Sequence, residues 1–140
     1  MEKGKKYKYF ESVGRRKTAS ARVRIFNEGP VGNGVLIVNG KPYENYFQTI
    51  RCQVSAFAPL KALGGELKSI KKAEVKVTGG GVKGQAEAVR LGLARAIVKW
   101  LPDLKKEMRV MGYLTRDARA VERKKYGLRK ARRGQQWRKR

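Results

Sequence analysis

Histidine is the most informative absence in this sequence, since none of the 140 residues is a histidine. Histidine is the commonest general base and the commonest metal ligand, so Ser-His-Asp triads, Cys-His pairs and zinc sites are excluded. Cysteine is almost as scarce, because Cys52 stands alone. One thiol forms neither an internal disulfide nor a metal cluster, and we interpret Cys52 as a small buried hydrophobic residue.

Long apolar segments are also missing. No run approaches the ~20 apolar residues of a transmembrane helix, and no long basic amphipathic helix indicates attachment to a membrane surface. Residues 1–10 are basic without an apolar stretch, so we expect no signal peptide. The sequence therefore predicts a protein without a membrane partner that stays in the compartment where it is made.

Acidic residues are few, and the resulting charge is the strongest functional signal. The chain has 35 Lys and Arg against 11 Asp and Glu, a formal net charge of +24 at pH 7. Solubility needs only roughly 2 to 8 charges in a small domain, and self-repulsion of this size opposes compaction. A polyanion relieves the repulsion, and its binding releases condensed counterions. The composition therefore predicts a nucleic-acid-binding protein.

Charge and apolar content change together after residue 114. Residues 115–140 hold 12 basic and 2 acidic residues but few large apolar ones, too few to offset the conformational entropy lost on folding. We predict a globular RNA-binding body over residues 1–114 and an extended basic tail over residues 115–140, which becomes ordered on RNA.

The apolar pattern of the body predicts strands followed by helices. Residues 19–25 and 73–78 alternate like half-buried strands, and residues 35–38 form a short apolar run before an Asn39-Gly40 turn. Apolar residues recur every three or four positions over residues 86–101, which predicts a helix ended by Pro102.

Two further segments have weaker helical features. Residues 53–63 are weakly helical, with Pro59 starting a new turn rather than lying inside a helix. A short helix near residues 103–111 is stopped by Gly112. Because strands come early and helices late, we predict a single small α+β domain.

A basic segment over residues 14–24 is the first candidate binding site. Alternation turns Arg22 and Arg24 away from the core, so their guanidinium groups repeat every ~6.6 Å, close to the phosphate spacing of a nucleic-acid strand. A planar guanidinium also binds phosphate through two hydrogen bonds. The alternative is a solvated strand face, which the scarcity of nearby acidic residues disfavours. The residues expected to contact RNA here are Arg15, Arg16, Lys17, Arg22 and Arg24.

A glycine-rich segment is the second candidate site. Residues 79–84 match G-x-G-x-x-G between a predicted strand and a predicted helix. A dinucleotide-binding unit needs a second parallel strand before its acidic residue, but no strand is predicted before Asp103. The segment is not a P-loop either, so we expect no cofactor. Two compatible interpretations stay open: the glycines allow a tight turn, or the helix start and Lys83 hold an RNA phosphate.

The tail is the third candidate site. Its basic residues are interleaved with Tyr126 and Trp137, and an aromatic ring that stacks on an unpaired base contributes ~1–3 kcal/mol. A merely solubilising tail is the alternative, although acidic residues would serve that purpose equally well. The tail residues expected to contact RNA are Arg116, Arg119, Arg123, Lys124, Lys125, Arg129, Lys130, Arg132 and Arg133.

Four sequence motifs resemble one family along nearly the whole chain. The segments GRRKTASARVRI, VNGKP, VTGGGVKGQAEAVRLGLARA and LTRDARAVERKKYGLRKARRGQ are similar, in this order, to the ninth ribosomal protein of the small subunit in its bacterial and organellar form. The resemblance implies a structural, non-catalytic protein of cytoplasmic or organellar ribosomes. It also implies a body like the second domain of the fifth small-subunit protein, a mixed sheet packed by helices.

The resemblance further implies specific partners. The body would bind ribosomal RNA in the head of the small subunit, beside neighbouring ribosomal proteins, and the tail would reach the transfer RNA in the peptidyl site. Family members often end Gln-aromatic-Ser-Lys-Arg, whereas a third cation replaces the serine here. The residues that the resemblance assigns to transfer RNA are Arg138, Lys139 and Arg140.

Two other functions are weighed against this one. A nonspecific protein that compacts nucleic acid would explain the charge but not the four matched motifs. An enzyme that binds a nucleotide on the glycine-rich segment is disfavoured by the absence of histidine.

Overall fold

The computed structural model describes residues 8–28, 36–64, 69–137 and 139. Within them the strands are β1 (Tyr9–Arg16), β2 (Ala19–Phe26), β3 (Leu36–Val38), β4 (Lys41–Pro42) and β5 (Lys72–Thr78). The helices are α1 (Tyr43–Tyr46), α2 (Ile50–Ala62), α3 (Val82–Trp100) and α4 (Lys105–Val110), with a 3₁₀ turn at Pro102–Leu104.

The strands form one mixed sheet in the order β1-β2-β5-β3-β4. The central strand β5 pairs antiparallel with β2 and parallel with β3. Parallel neighbours need a crossover connection, and the chain between β3 and β5 passes through α1 and α2. The long helix α3 packs across β1 and β2 and against α2, so the predicted α+β fold with helices packed on a mixed sheet is confirmed.

The predicted alternation along β2 is confirmed. Ala21, Val23 and Ile25 are completely buried beneath the helices, whereas Arg22 between them is exposed. The inward positions of Val75 and Val77 on β5 are likewise confirmed. These side chains form the apolar layer between the sheet and α3.

Strand β1 is absent from the sequence prediction because its covered side has almost no apolar signal. The two buried residues there are Ser12 and Gly14, since α3 lies unusually close. A Cβ atom on Gly14 would stand 1.9 Å from the Ala88 carbonyl oxygen, and one on Gly92 would stand 2.6 Å from the Val23 side chain. The Ser12 hydroxyl donates a 2.5 Å hydrogen bond to the Gly92 carbonyl. Close helix packing therefore requires small residues on both elements.

The free edge of β1 is covered by two side chains from α3. Arg95 Nη1 donates to the Val13 carbonyl oxygen at 3.0 Å. Lys99 Nζ donates to the Glu11 carbonyl oxygen at 2.7 Å. Long cationic side chains thus occupy acceptors that have no strand partner.

The prediction for Pro59 is wrong. Pro59 lies inside α2 and is one of the most deeply buried residues. A helical proline has no N–H for the carbonyl four residues earlier, and burial of its ring in the core offsets part of that loss. The helix begins at Ile50, three residues before the predicted start, and Cys52 is buried as predicted.

The predicted turn and helix ends are confirmed. Asn39 and Gly40 have φ values of +48° and +80°, as a two-residue hairpin turn between β3 and β4 requires. Helix α3 ends immediately before Leu101 and Pro102, and Gly112, with a φ of +71°, follows α4. Val35, the first residue of the predicted apolar run, lies outside the described residues.

The C-terminal segment differs from the body. Residues 113–137 and 139 contain no helix or strand. Among the described helices, none combines the length and the apolar composition needed to cross a bilayer.

Candidate nucleic-acid interface

In the part of the chain that the structure describes, the side of the sheet opposite the helices is open and carries a cluster of cations. Strand register places Arg22 beside Lys76 of β5, and Arg15 in the next row beside Ser20. Facing residues on paired antiparallel strands lie ~4.5–5.5 Å apart at their Cβ atoms, so the three charged groups gather on one surface. We call Arg15, Arg22 and Lys76 the open-face cluster; all three are exposed.

Few acidic side chains neutralise the charges of the open-face cluster. Among the residues that the structure describes, Arg15 and Lys76 form no ion pair, and Arg22 has only a 3.7 Å contact with Glu11. Lys76 was not among the predicted site residues. Its alternation with Val75 and Val77 is the signal that would have found it.

The other end of the same surface is neutralised. Arg24 Nε donates to Glu11 Oε2 at 2.7 Å, and this hydrogen bond is the main cause of the raised pKa of Arg24. Lys72 pairs with Glu74 on β5. The expectation that almost no acidic residue lies near the strand is therefore wrong, because the unpredicted β1 brings Glu11 opposite Arg24.

The hairpin that joins β1 and β2 lies against the glycine-rich segment. Lys17 is exposed in this hairpin, with a φ of +51°. A Cβ atom on Gly79 would stand 2.6 Å from the Thr18 carbonyl oxygen, and one on Gly80 would stand 2.8 Å from Ala19 Cβ. Both glycines also have positive φ values. These contacts confirm the tight-turn interpretation of the glycines.

Helix α3 begins directly after these glycines. Lys83 lies exposed in its first turn, and its predicted contact with an RNA phosphate stays a prediction. The 3₁₀ turn containing Asp103 and then α4 follow α3, where a dinucleotide-binding unit has a parallel strand. Among the described residues, no group of three His, Cys, Asp or Glu side chains is placed to hold a metal ion.

Arg16 lies apart from the open-face cluster. Alternation along β1 turns its side chain toward α3, where only 11% of it is exposed. Its guanidinium contacts Glu87 of α3 and Asp117 of the tail. Adjacent arginines in one strand therefore have different surroundings, and the sequence prediction grouped them together.

The described tail cations are exposed, and two of them form ion pairs. Arg132 pairs with Glu122 at 2.7 Å and Arg119 pairs with Asp117 at 2.9 Å. Hydrogen bonds from Arg119 hold the pKa of Asp117 far below its usual value, with a smaller contribution from Arg16. Lys139 is exposed, whereas Arg138 and Arg140 lie outside the described residues. The other predicted tail residues, all exposed, are Arg116, Arg123, Lys124, Lys125, Arg129, Lys130 and Arg133.

Fold and surface together define a small, strongly basic α+β protein with an open cationic sheet face and a cationic C-terminal segment. The sequence model of the family described as Ribosomal protein S9/S16 matches residues 14–140. The chain therefore belongs to the ribosomal protein S9/S16 family.

Individual relatives match almost end to end. The chain is 47% identical over 131 residues to small ribosomal subunit protein uS9 of Lawsonia intracellularis, covering 92% of this chain and 95% of the relative. It is 48% identical over 132 residues to uS9c of Gracilaria tenuistipitata var. liui, covering 94% and 92%. It is 45% identical over 131 residues to uS9 of Thermus thermophilus, covering 94% and 98%.

Membership in this family confirms two predictions. The chain is a structural constituent of the small ribosomal subunit, as its motifs indicated. It is not an enzyme, because this is a family of structural ribosomal proteins.

Proposed function

We propose that the body binds ribosomal RNA in the head of the small subunit through its open sheet face, and that the tail reaches the transfer RNA in the peptidyl site. The observation that carries the first part is the open-face cluster, Arg15, Arg22 and Lys76. Its members come from three neighbouring strands and project on one side of a packed sheet.

The rigidity of that surface favours binding to a folded RNA over nonspecific binding to any polyanion. The apolar residues between the charged ones are buried, so the backbone that carries Arg22 is fixed on both sides by strand pairing. A fixed array of cations selects a backbone whose phosphates have matching positions. Lys17 lies in the hairpin that follows β1, where it extends the phosphate contact, and Lys83 adds an exposed cation at the start of α3.

Measurements of affinity for ribosomal RNA test the assignment of the open-face cluster as the binding surface. The variant Arg15→Gln/Arg22→Gln/Lys76→Gln removes three charges from the cluster. Its matched control, Lys105→Gln/Lys106→Gln/Arg109→Gln, removes three exposed charges from α4, which packs on α3. The affinity of each chain for a small-subunit ribosomal RNA transcript is measured against salt concentration. We expect the slope of log affinity against log salt to fall by about 0.7–0.9 per lost contact in the cluster variant, and little in the control.

The same pair of variants separates the proposal from nonspecific compaction. A protein that binds any polyanion through its total charge would lose equal affinity in both variants, and would lose it for duplex DNA and ribosomal RNA alike. Equal losses would therefore overturn the open-face assignment.

The tail assignment rests on charge and on the family resemblance of the C-terminal residues. Lys139 and the two cations that flank it are the last groups of a segment in which described basic residues are exposed. A positive end of this kind suits the phosphate backbone of a transfer RNA stem. The more proximal tail cations then contact ribosomal RNA along the way.

Truncation tests this part. Small subunits reconstituted with a chain lacking residues 138–140 should assemble normally and bind peptidyl-site transfer RNA more weakly. The control Arg123→Gln/Lys124→Gln/Lys125→Gln removes the same charge from the middle of the tail and should spare transfer-RNA affinity. Unchanged transfer-RNA affinity in the truncated subunits would contradict the assignment.

A further inference from the structure

The side chain of Arg16 joins three parts of the chain that are distant in sequence. Its Nε donates to Glu87 Oε2 of α3 at 2.6 Å. Its Nη1 donates to the main-chain carbonyls of Asp117 at 3.2 Å and Arg119 at 2.6 Å. Its Nη2 lies 3.0 Å from Asp117 Oδ2. One guanidinium on β1 therefore holds both the sheet-covering helix and the first residues of the tail.

These contacts leave Arg16 poorly suited to bind phosphate. A guanidinium has five N–H donors, and three hydrogen bonds and an ionic contact within the chain already occupy most of its periphery. Only 11% of the side chain is exposed. An incoming phosphate would have to displace Glu87 or Asp117, and both carboxylates would repel it.

The tail residues at this site are themselves arranged around Arg16. Asp117 accepts hydrogen bonds from the Arg119 main-chain N–H and from its guanidinium. This closes a compact turn whose two carbonyl oxygens point at Arg16. Two carbonyls and a carboxylate held by one planar cation fix orientation as well as distance, because the donors of arginine form a rigid fork.

We propose that Arg16 is a positioning residue that fixes where and in which direction the C-terminal tail leaves the body. The inference goes beyond RNA binding and does not depend on it, because every contact lies within the chain. Its consequence is that the tail starts from a defined point at the end of β1 next to α3. A defined origin limits the positions that the far end of the tail reaches.

Arg15 supplies a matched control. It is the same residue type in the same strand, one position earlier, but it belongs to the open-face cluster. The two arginines should therefore give opposite results in two measurements, one of tail position and one of RNA binding.

Tail position is measured in the free full-length chain by pulsed electron-electron double resonance. Spin labels are placed at Val54→Cys on α2 and Ala120→Cys just after the turn, both exposed sites, in a Cys52→Ala background. The parent should give a narrow distance distribution. Arg16→Gln should broaden it at least about twofold, and Arg15→Gln should leave it unchanged.

RNA binding is measured on the unlabelled chains as a salt titration with a ribosomal RNA transcript. Arg15→Gln should lower the salt slope by about 0.7–0.9, the value of one phosphate contact. Arg16→Gln should leave the slope unchanged. A lowered slope for Arg16→Gln, together with an unchanged distance distribution, would overturn the proposal.

A second variant tests the same proposal if Arg16→Gln disturbs the folding of β1. Asp117→Asn leaves the strand intact and removes the ionic contact from the tail side, so it should also broaden the distribution. A distribution as narrow as that of the parent in Asp117→Asn would count against the proposal. Failure of all chains to bind RNA would instead overturn the proposed function and leave the distance result valid.

Discussion

The two sides of β2 show how one strand contributes both to the buried core and to the proposed binding surface. Ala21, Val23 and Ile25 are completely buried against the helices, whereas Arg22 keeps 60% of its side chain exposed. Successive side chains in a strand point to opposite faces, so neighbouring residues have separable effects. Substitutions on the covered side should change folding without changing the binding surface, and substitutions on the open side should do the reverse.

The largest effect should come from the glycine contact on the covered side. Gly14→Ala places a methyl group 1.9 Å from the Ala88 carbonyl oxygen, so β1 and α3 must separate. We expect the free energy of unfolding to fall by about 3 kcal/mol or more. Urea unfolding followed by circular dichroism measures the loss. Gly134→Ala, which meets no atom within 4 Å, is the control and should stay within about 0.5 kcal/mol of the parent.

Truncation of a buried side chain on the same face should give the next largest loss of stability. Ile25→Ala leaves a cavity in the fully buried layer, which costs about 2–5 kcal/mol. The salt slope of RNA binding, measured where the variant is still folded, should not change. Ser20→Ala on the opposite side should change stability by about 0.5 kcal/mol at most. Equal losses in the two variants would contradict the division between the faces.

A change on the open face should affect binding far more than folding. Glu11 accepts from Arg24 and lies 3.7 Å from Arg22. Glu11→Gln removes the carboxylate that contacts both arginines, so we expect RNA affinity at low salt to rise several-fold. Stability should change little, because an ion pair at the protein surface contributes little to folding. Filter binding measures the affinity, and a weaker complex would show that Glu11 orients the arginines for RNA.

The smallest effect should be a dependence of the tail turn on pH. Hydrogen bonds from Arg119, followed by the charge of Arg16, lower the pKa of Asp117. A lowered pKa in the folded state means that the contribution is complete above the ordinary carboxyl pKa of about 4 and is lost as the pH falls from there through the lowered pKa of the folded chain. The spin-label distance distribution should therefore broaden on acidification. In Asp117→Asn the acid-induced change should be absent.

The parts of the fold that the sequence predicted are those with a clear apolar period. The alternation of β2 and β5 and the stripe of α3 indicated the correct elements because burial there is carried by large side chains. Strand β1 gave no apolar signal in the sequence, because α3 approaches it closely and only small residues such as Ser12 and Gly14 fit between them. Pro59 was placed outside a helix because local propensity disfavours a proline that tertiary burial supports.

The candidate site was predictable in composition but not in arrangement. The sequence identified Arg15 and Arg22 as cations near a strand, but pairing with β1 and β5 decides which charges meet. Lys76 joins them through register with Arg22, while Glu11 neutralises Arg24. In the sequence Arg16 looks equivalent to Arg15. The structure distinguishes them, because Arg16 contacts α3 and the tail whereas Arg15 lies on the open face.

The covered edge of β1 has a consequence for the chain before it is assembled into the ribosomal subunit. An unprotected edge strand is a template on which a second molecule can add its own strand and start an aggregate. Arg95 and Lys99 already occupy the Val13 and Glu11 carbonyls and place positive charge along that rim. Addition of a strand from a second copy at this edge should therefore be disfavoured.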